Sequence, residues 1–262
     1  SNSGGAIYVN GAVTFASTAG ATFNGNHADA AGGGAIISQT ATIYNAYFTG
    51  NYAKDNGGAF YPLSGTSNIY NSTFENNSLT AATVGGGAIY MKNAVYYLNI
   101  YNSTFVGNSA GAGKGGAIYT NTTANANIYN STFYNNTSTN ASPVNHLYAA
   151  SSGYIKLYNS IVAHPSLAVL CANTTRGGTT SVNLEYNNSS TVCAASSVTG
   201  DPKLSSLADN GGPTKTMALQ SGSSAIDAAD NATCLTTDQR YASRPVDGTC
   251  DIGAYEYGGV VP

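Results

Sequence analysis

The hydrophobic and polar positions of the chain follow a short pattern, Ile-Tyr-Asn-Ser-Thr-Phe, that recurs along its first two thirds. Exact or diverged copies begin at Ile43, Ile69, Ile100, Ile128 and Leu157. Apolar and polar residues that alternate with a period of two indicate a β-strand, whose successive side chains point to opposite faces. The isoleucine is therefore expected to face inward, and the tyrosine, whose hydroxyl needs a partner or water, to face outward.

A second marker, Gly-Gly-Ala followed by two apolar residues, alternates with the first. Its alanines are at positions 6, 35, 59, 88 and 117, so the spacings are 29, 24, 29 and 29 residues. Apolar residues that recur at the period of the repeat, and not at 3.6 residues, stack on their counterparts one repeat away. The pattern predicts an all-β solenoid, a parallel β-helix of about six or seven coils.

Asparagines occupy two positions in most repeats. The set that follows the tyrosine is expected to point inward and to form a ladder of amide hydrogen bonds. It comprises Asn45, Asn71, Asn102, Asn130 and Asn159. The set three residues after the phenylalanine is expected to end each strand in the left-handed conformation. It comprises Asn26, Asn51, Asn77, Asn108 and Asn136.

Composition narrows the functional classes. Charged residues make up 8% of the chain, glycine numbers 31 and tryptophan is absent, which indicates a nearly all-β protein and neither a disordered nor a mainly helical one. The net charge of −3 gives no basic field, so a nucleic-acid partner is not expected. No apolar run approaches the ~20 residues of a membrane-spanning helix, so we expect no membrane insertion in this chain.

The cysteine pattern indicates the compartment. Cys171, Cys193, Cys234 and Cys250 form an even set without a Cys-x-x-Cys pair or a nearby histidine. Disulfides suit this pattern better than a zinc site, and they imply an oxidising compartment. We therefore expect a secreted protein that is extracellular or on the cell surface.

The alternation of Gly-Gly-Ala-Ile with Phe-x-x-Asn over residues 4–162 resembles the repeat of chlamydial polymorphic outer-membrane proteins and of bacterial right-handed parallel β-helix repeat proteins. The resemblance implies a right-handed parallel β-helix. It does not specify the function, because this fold hosts adhesins, lyases and structural proteins alike.

The last part of the chain carries different motifs. Residues 201–262 resemble the C-terminal module of bacterial choice-of-anchor Q proteins, which directly follows a β-helix. The motifs that carry this resemblance lie at 201–204, 207–214, 222–228, 237–240, 244–245 and 250–256. We expect β-helix repeats in 1–165, degenerate last coils with a disulfide in 166–200, and in 201–262 a module that caps the last coil. Of the three pairings open to the cysteines, proximity and this boundary favour Cys171 with Cys193 and Cys234 with Cys250.

The titratable residues do not suggest catalysis. Residues 1–165 contain three acids, Asp29, Asp55 and Glu75. Glycoside hydrolysis needs paired carboxylates, and elimination needs a carboxylate-bound calcium ion with a basic residue, so no catalytic residue, metal or cofactor is expected. Two sets are expected to be structural: an ion-pair network of Asp238, Arg240, Arg244, Asp247 and Asp251, and the histidines His27, His146 and His164.

Two outward columns of tyrosine are the most suggestive surface feature. One comprises Tyr44, Tyr70, Tyr101, Tyr129 and Tyr158, and the other Tyr8, Tyr61, Tyr90, Tyr119 and Tyr148, interrupted by Ile37. Stacked aromatic residues stabilise parallel coils, and this is the favoured interpretation. An aromatic strip that binds a polysaccharide or packs against another subunit is compatible with it.

These features favour a non-enzymatic structural or adhesive protein of the bacterial surface. The alternative is a carbohydrate-binding or polysaccharide-degrading β-helix of the pectate-lyase-like type. The chain enters its first Gly-Gly-Ala marker after three residues, so a cap on the first coil is not expected within this sequence. An open coil end and few charges favour self-association, in which the first coil of one copy meets the C-terminal module of the next and builds a filament.

Overall fold

The computed structural model describes residues 4–29, 32–81, 84–92, 97–122, 124–150, 153–172, 174, 182–189, 193 and 197–262. Within these ranges the chain forms twenty strands and no helix, as the sequence predicts. The strands are β1 (Ile7–Asn24), β2 (His27–Ala28), β3 (Ile36–Thr49), β4 (Tyr52–Ala53), β5 (Phe60–Pro62), β6 (Thr66–Tyr70), β7 (Thr73–Glu75), β8 (Ser78–Leu79), β9 (Ile89–Met91), β10 (Tyr97–Tyr101), β11 (Thr104–Val106), β12 (Ile118–Thr120), β13 (Asn125–Tyr129), β14 (Thr132–Tyr134), β15 (Leu147–Ala149), β16 (Tyr154–Tyr158), β17 (Ile161–Ala168), β18 (Cys171–Ala172), β19 (Asn183–Asn188) and β20 (Ser197–Thr199).

Each strand pairs in parallel with its counterpart one coil away, so that equivalent residues of successive repeats lie in register. The first side of the stack aligns Ile7, Ile36, Phe60, Ile89, Ile118 and Leu147. The second side aligns Phe15, Ile43, Ile69, Ile100, Ile128 and Leu157. The third side aligns Phe23, Phe48, Phe74, Phe105, Phe133 and Val162. The predicted parallel β-helix is confirmed.

The fourth side is short and determines how many coils are complete. It consists of β2, β4 and β8, continued by bridges from Ser78 to Ser109 and from Ser109 to Thr137. About five coils have all four sides in the described part of the chain, fewer than the six or seven predicted. After Val162, β18 extends only the first side, and β19 and β20 only the third. Most of 173–196, predicted to form degenerate coils, lies outside the described residues.

The interior is filled by columns of like residues. The rings of neighbouring phenylalanines on the third side are stacked with centroids 4.6–4.7 Å apart and planes within 9° of parallel. Phe48, Phe74, Phe105 and Phe133 are fully buried, as are the isoleucines of the second side. Burial of each such side chain stabilises the fold by about 1.5–3 kcal/mol. The repeat places one on each of the first three sides of a coil, whereas the fourth side carries mainly alanine.

The two asparagine sets have the opposite roles to those predicted. The inward ladder consists of Asn26, Asn51, Asn77, Asn108 and Asn136, and each amide nitrogen donates to the next Oδ1 at 2.8–2.9 Å. The left-handed residues are Asn45, Asn71, Asn102, Asn130 and Asn159, with φ of 44–55°. A left-handed residue at a corner redirects the chain, and the strict alternation of a strand fails there. The left-handed residue that precedes each ladder amide, such as Gly50 before Asn51, is Gly or Asn.

A histidine ends this asparagine ladder. The Asn136 amide nitrogen donates to His146 Nδ1 at 3.0 Å, so Nδ1 must accept and the buried imidazole is neutral. Burial and then the neighbouring His164, whose ring lies edge-on with its centroid 6.0 Å away, lower the pKa of His146 to about 3. As predicted, the structure gives His146 a structural position.

The free energy of unfolding should therefore depend on pH through His146. The pKa of His146 is lower in the folded state than its value near 6.5 in the unfolded state, so the unfolded protein binds the proton more readily. The protein therefore loses stability as the pH falls below 6.5, by about 2 kcal/mol at pH 5. Urea denaturation of the wild type and of His146→Asn at pH 7 and pH 5 measures this effect. Asparagine can accept the same hydrogen bond and does not titrate. An equal pH dependence in both proteins would assign the acid sensitivity to other groups.

The C-terminal module, residues 201–262, packs along the side of the stack. Its regular pairing is limited to isolated antiparallel bridges such as the one between Leu204 and Leu219. Hydrogen bonds join it to the left-handed corner residues of five successive coils: Tyr241 to Asn45, Thr214 to Asn71, Thr237 to Asn102, Leu235 to Asn130 and Asp230 to Asn159. Its apolar residues also pack on Leu184 in the later coils. The predicted cap on the last coil is thus corrected to a module that spans the length of the stack.

Candidate functional site

The tyrosine ladder, Tyr44, Tyr70, Tyr101, Tyr129 and Tyr158, lies on the outer surface of the second side. Neighbouring ring centroids are 4.5–5.1 Å apart and the planes lie within 10° of parallel. The inner rings of the ladder, those of Tyr70, Tyr101 and Tyr129, are therefore covered on both faces by their neighbours. Only their edges and hydroxyls face the solvent. Burial, and next the adjacent Tyr158 and Tyr101, raise the pKa of Tyr129 to about 12. This geometry agrees with a ladder that stabilises the coils, and it leaves the inner ring faces closed to a sugar.

The second tyrosine column is not the exposed strip that was predicted. Tyr8 is 57% exposed, but Ile37, Tyr61 and Tyr90 are 2–5% exposed and pack in a small apolar cluster with Leu63 and Val84. The half-buried Tyr119 and Tyr148 continue the column, and its ring planes are tilted by 31–61°. Tyr61 and Tyr90 do point away from the main core, as predicted. They are buried because Leu63 and Val84, which lie in connections outside the repeated motif, pack against them.

Two cavities, together called the groove, lie beside the tyrosine ladder, and residues of the C-terminal module line each of them. One part, of about 360 Å³, is lined by Tyr70, Asn71, Tyr101, Asn102 and the segment 234–237. A second part, of about 240 Å³, is lined by Ala16, Thr18, Tyr44, Asn45 and Tyr241. The sequence predicted the tyrosines but not this wall, because the module was expected at the end of the stack.

A row of amides borders the ladder on the side away from the module. Asn127 donates to Asn99, and Asn99 donates to Asn68, each at 3.0 Å between Nδ2 and Oδ1. Lys156 occupies the next position of this row. The outer face of the second side therefore presents parallel rows of amides and tyrosine edges, a flat polar surface with few charges.

The predicted charge network in the C-terminal module is present and buried. Arg240 Nη2 lies 2.7 Å from Asp238 Oδ2, and Arg244 Nε lies 3.4 Å from Glu256 Oε2. Asp251 is also buried and accepts a hydrogen bond from the Asp227 amide. Burial raises the pKa of the Asp251 and Glu256 carboxyls and lowers that of the Arg244 guanidinium. Glu256 belongs to this network although it was not predicted to, and the prediction of Asp247 as a member was wrong, because Asp247 is exposed.

This network shapes the turn that meets the coils. Asp238 Oδ1 accepts hydrogen bonds from the backbone amides of Arg240 and Ala242, at 2.7 and 3.0 Å. The turn thereby directs the buried Gln239 into the third side. There Gln239 Nε2 donates to Thr73 Oγ1 at 2.8 Å, and Thr104 Oγ1 donates to Gln239 Oε1 at 2.7 Å. The role of Gln239 depends on residues more than 130 positions away, so no local signal identifies it.

The cysteines are paired as predicted. The structure joins Cys171 to Cys193 beside the later coils, and Cys234 to Cys250 within the C-terminal module. Cys234 also lines the groove beside Tyr70 and Tyr101. Both bridges indicate a compartment outside the cytoplasm.

The remaining candidate chemistry is sparse in the described residues. There, the His, Cys, Asp and Glu side chains do not gather into a group of three that could hold a metal ion. His27 and Asp29 lie 3.8 Å apart and are both largely exposed, while His146 and His164 are buried. The described ranges also contain no helix with the length and apolar character to cross a membrane.

Comparison with known proteins agrees with the repeat. The family model described as the Chlamydia polymorphic membrane protein repeat matches residues 71–92 and 102–121. No curated protein and no solved structure matches the chain significantly. The resemblance of 201–262 to the choice-of-anchor Q module stays a prediction. The repeat family implies a bacterial outer-membrane or surface protein. The chain is therefore a parallel β-helix repeat protein whose repeats are similar to those of the Chlamydia polymorphic membrane proteins.

Proposed function

We propose that the protein is a non-enzymatic structural or adhesive element of a bacterial surface. The observation that carries this proposal is the attachment of the C-terminal module to five successive coils through the left-handed asparagines. Contacts spread over the length of a solenoid oppose bending and the opening of single coils, because each coil otherwise contacts only its neighbours. Such a rod holds a surface at a fixed distance from its attachment.

The placement of the charged side chains supports the non-enzymatic part of the proposal. Asp238 and Glu256 are directed at guanidinium groups, and Asp251 at backbone donors, inside the C-terminal module. A general acid or base must reach the substrate, and a pair of glycosidase carboxylates must flank the scissile bond. These buried acids instead hold the module together, which is the role that a structural protein requires of them.

Self-association is the second part of the proposal. In the first coil Ile7, Val13 and Phe15 are only partly buried, whereas their counterparts Ile36 and Ile43 are fully buried. A contact of this apolar face with the C-terminal module of a second copy, repeated head to tail, would give a filament. The low fraction of charged residues limits repulsion between copies.

The test is incubation of the purified protein with plant and bacterial polysaccharides, combined with light scattering. We expect no release of sugar product, either with or without retention on the polysaccharide, and a mean mass that rises with protein concentration. Product release would overturn the non-enzymatic proposal in favour of a carbohydrate-active enzyme. A constant monomer mass at high concentration would overturn self-association.

A further inference from the structure

The tyrosine ladder ends abruptly at its first-coil end. Ala16 is the residue of the first coil that lies in register with Tyr44, and Ala16 is exposed. Tyr70, Tyr101 and Tyr129 each have a stacked ring on both sides. Alanine cannot cover an aromatic ring in this way, so the ring face of Tyr44 that is directed toward the first coil remains available to a ligand.

A second tyrosine is held beside this open face. Tyr241 projects from the turn that Asp238 fixes, and its backbone amide donates to the Asp238 carbonyl at 3.0 Å. Its φ of 72° is a left-handed conformation that a bulky residue rarely adopts, and such strain persists where the surroundings determine it and often marks a functional position. The Tyr241 hydroxyl donates to Asn45 Oδ1 at 2.8 Å, so the side chain is held firmly although 37% of it is exposed.

We propose that Tyr44 and Tyr241 bind the ring of an uncharged sugar. The cavity they share has about 240 Å³, and the described side chains that line it are all uncharged: Ala16, Thr18, Tyr44, Asn45 and Tyr241. The C–H face of a pyranose ring packs on an open aromatic face, and its hydroxyls can bond to the tyrosine and threonine hydroxyls at the rim. The ring would take the position over Tyr44 that a further tyrosine would occupy in the ladder.

The same observations disfavour other ligands. A charged sugar or ion would be desolvated here without a group of opposite charge among the described lining residues. A polysaccharide cannot stack along the ladder, because the inner ring faces cover one another. A longer glycan would instead place one unit over Tyr44 and extend into the neighbouring cavity beside Tyr70 and Thr237. This inference rests on the adhesive part of the proposed function, and it names uncharged sugars as the class of ligand.

The decisive variant is Ala16→Tyr, which removes no contact and fills the missing position over Tyr44. Saturation-transfer NMR would be measured with the methyl pyranosides of glucose, galactose, mannose and N-acetylglucosamine. We expect transfer to the ring C–H protons of at least one of them with the wild type. Ala16→Tyr and Tyr241→Ala should weaken the affinity by about tenfold or more. The control is Tyr97→Ala, which removes an exposed tyrosine from the same side of the stack and should leave the affinity within about twofold of that of the wild type.

Circular dichroism confirms that each variant is folded. Absence of saturation transfer from all four pyranosides would overturn the sugar site, and so would an affinity of Ala16→Tyr within about twofold of that of the wild type. Either result, obtained with no product release from polysaccharides, leaves the structural part of the proposed function intact. Failure of that function would appear separately, as enzymatic release of product.

Discussion

Replacement of Arg240 by methionine is expected to lower the free energy of unfolding by about 3–5 kcal/mol and to release the C-terminal module from the coils. The Arg240 side chain is 3% exposed, and that of its partner Asp238 is fully buried. Without the guanidinium, the Asp238 carboxylate is left buried without its counter-charge. Arg240 also donates to the Glu256 carbonyl at 2.8 Å and lies 3.6 Å from the centroid of the Tyr255 ring.

Urea denaturation gives the change in stability, and limited proteolysis reports the release of residues 201–262. The matched control is Lys203→Met, which removes an exposed cation from the same module and should change the stability by less than about 0.5 kcal/mol. The double variant Asp238→Asn with Arg240→Met removes both charges and should recover part of the loss. If Arg240→Met and Lys203→Met behave alike, the network does not hold the module.

The repeat made most of the solenoid predictable. Like residues at the period of the repeat stack on one another whatever the length of the intervening connection, so Ile69 and Ile100 align although they are 31 residues apart. The burial of Tyr61 and Tyr90 was not predictable in this way. It depends on Leu63 and Val84, which lie outside the repeated motif and pack against these tyrosines and Ile37.

The exchanged asparagine roles have a different cause. Alternation assigns inward and outward positions only while the backbone stays extended, and two left-handed corners flank the third side of most coils. At the first corner Asn71 turns out to meet the C-terminal module, and after the second, at Asn76, the amide of Asn77 points in. Residues on either side of a corner cannot be assigned by counting from the strand, since the left-handed residue changes the direction of the chain.

The position of the C-terminal module was beyond sequence reasoning for a third reason. Tyr241 binds Asn45 across 196 residues, and Gln239 binds Thr73 across 166. The module does not repeat, so it has no period to match with that of the coils. Its acids and arginines did indicate a buried network, because charged residues in an otherwise uncharged chain require partners when they are buried. The sequence contained no comparable indication of which face of the stack the module packs against.

The asparagine ladder allows a comparison of two asparagines of the same coil, Asn108, whose side chain points inward, and Asn99, whose side chain points outward. Asn108 Oδ1 accepts from the backbone and side-chain nitrogens of Asn77 at 2.9 Å each, and Asn108 Nδ2 donates to the Phe74 carbonyl at 2.9 Å. Asn108→Ala leaves these three buried groups without that partner.

Since each unsatisfied buried group costs about 1–3 kcal/mol, we expect Asn108→Ala to lower the free energy of unfolding by about 4 kcal/mol. Asn99→Ala, in the same coil but in the outer row, removes two half-buried amide bonds whose partners can bind water. It should therefore cost less than about 1 kcal/mol. Urea denaturation of the two variants at pH 7 measures both values. Equal losses would mean that any stack of amides stabilises the coils. The expected difference would mean that the inward ladder stabilises them through its hydrogen bonds to backbone groups at the corner of each coil, where the chain leaves its strand.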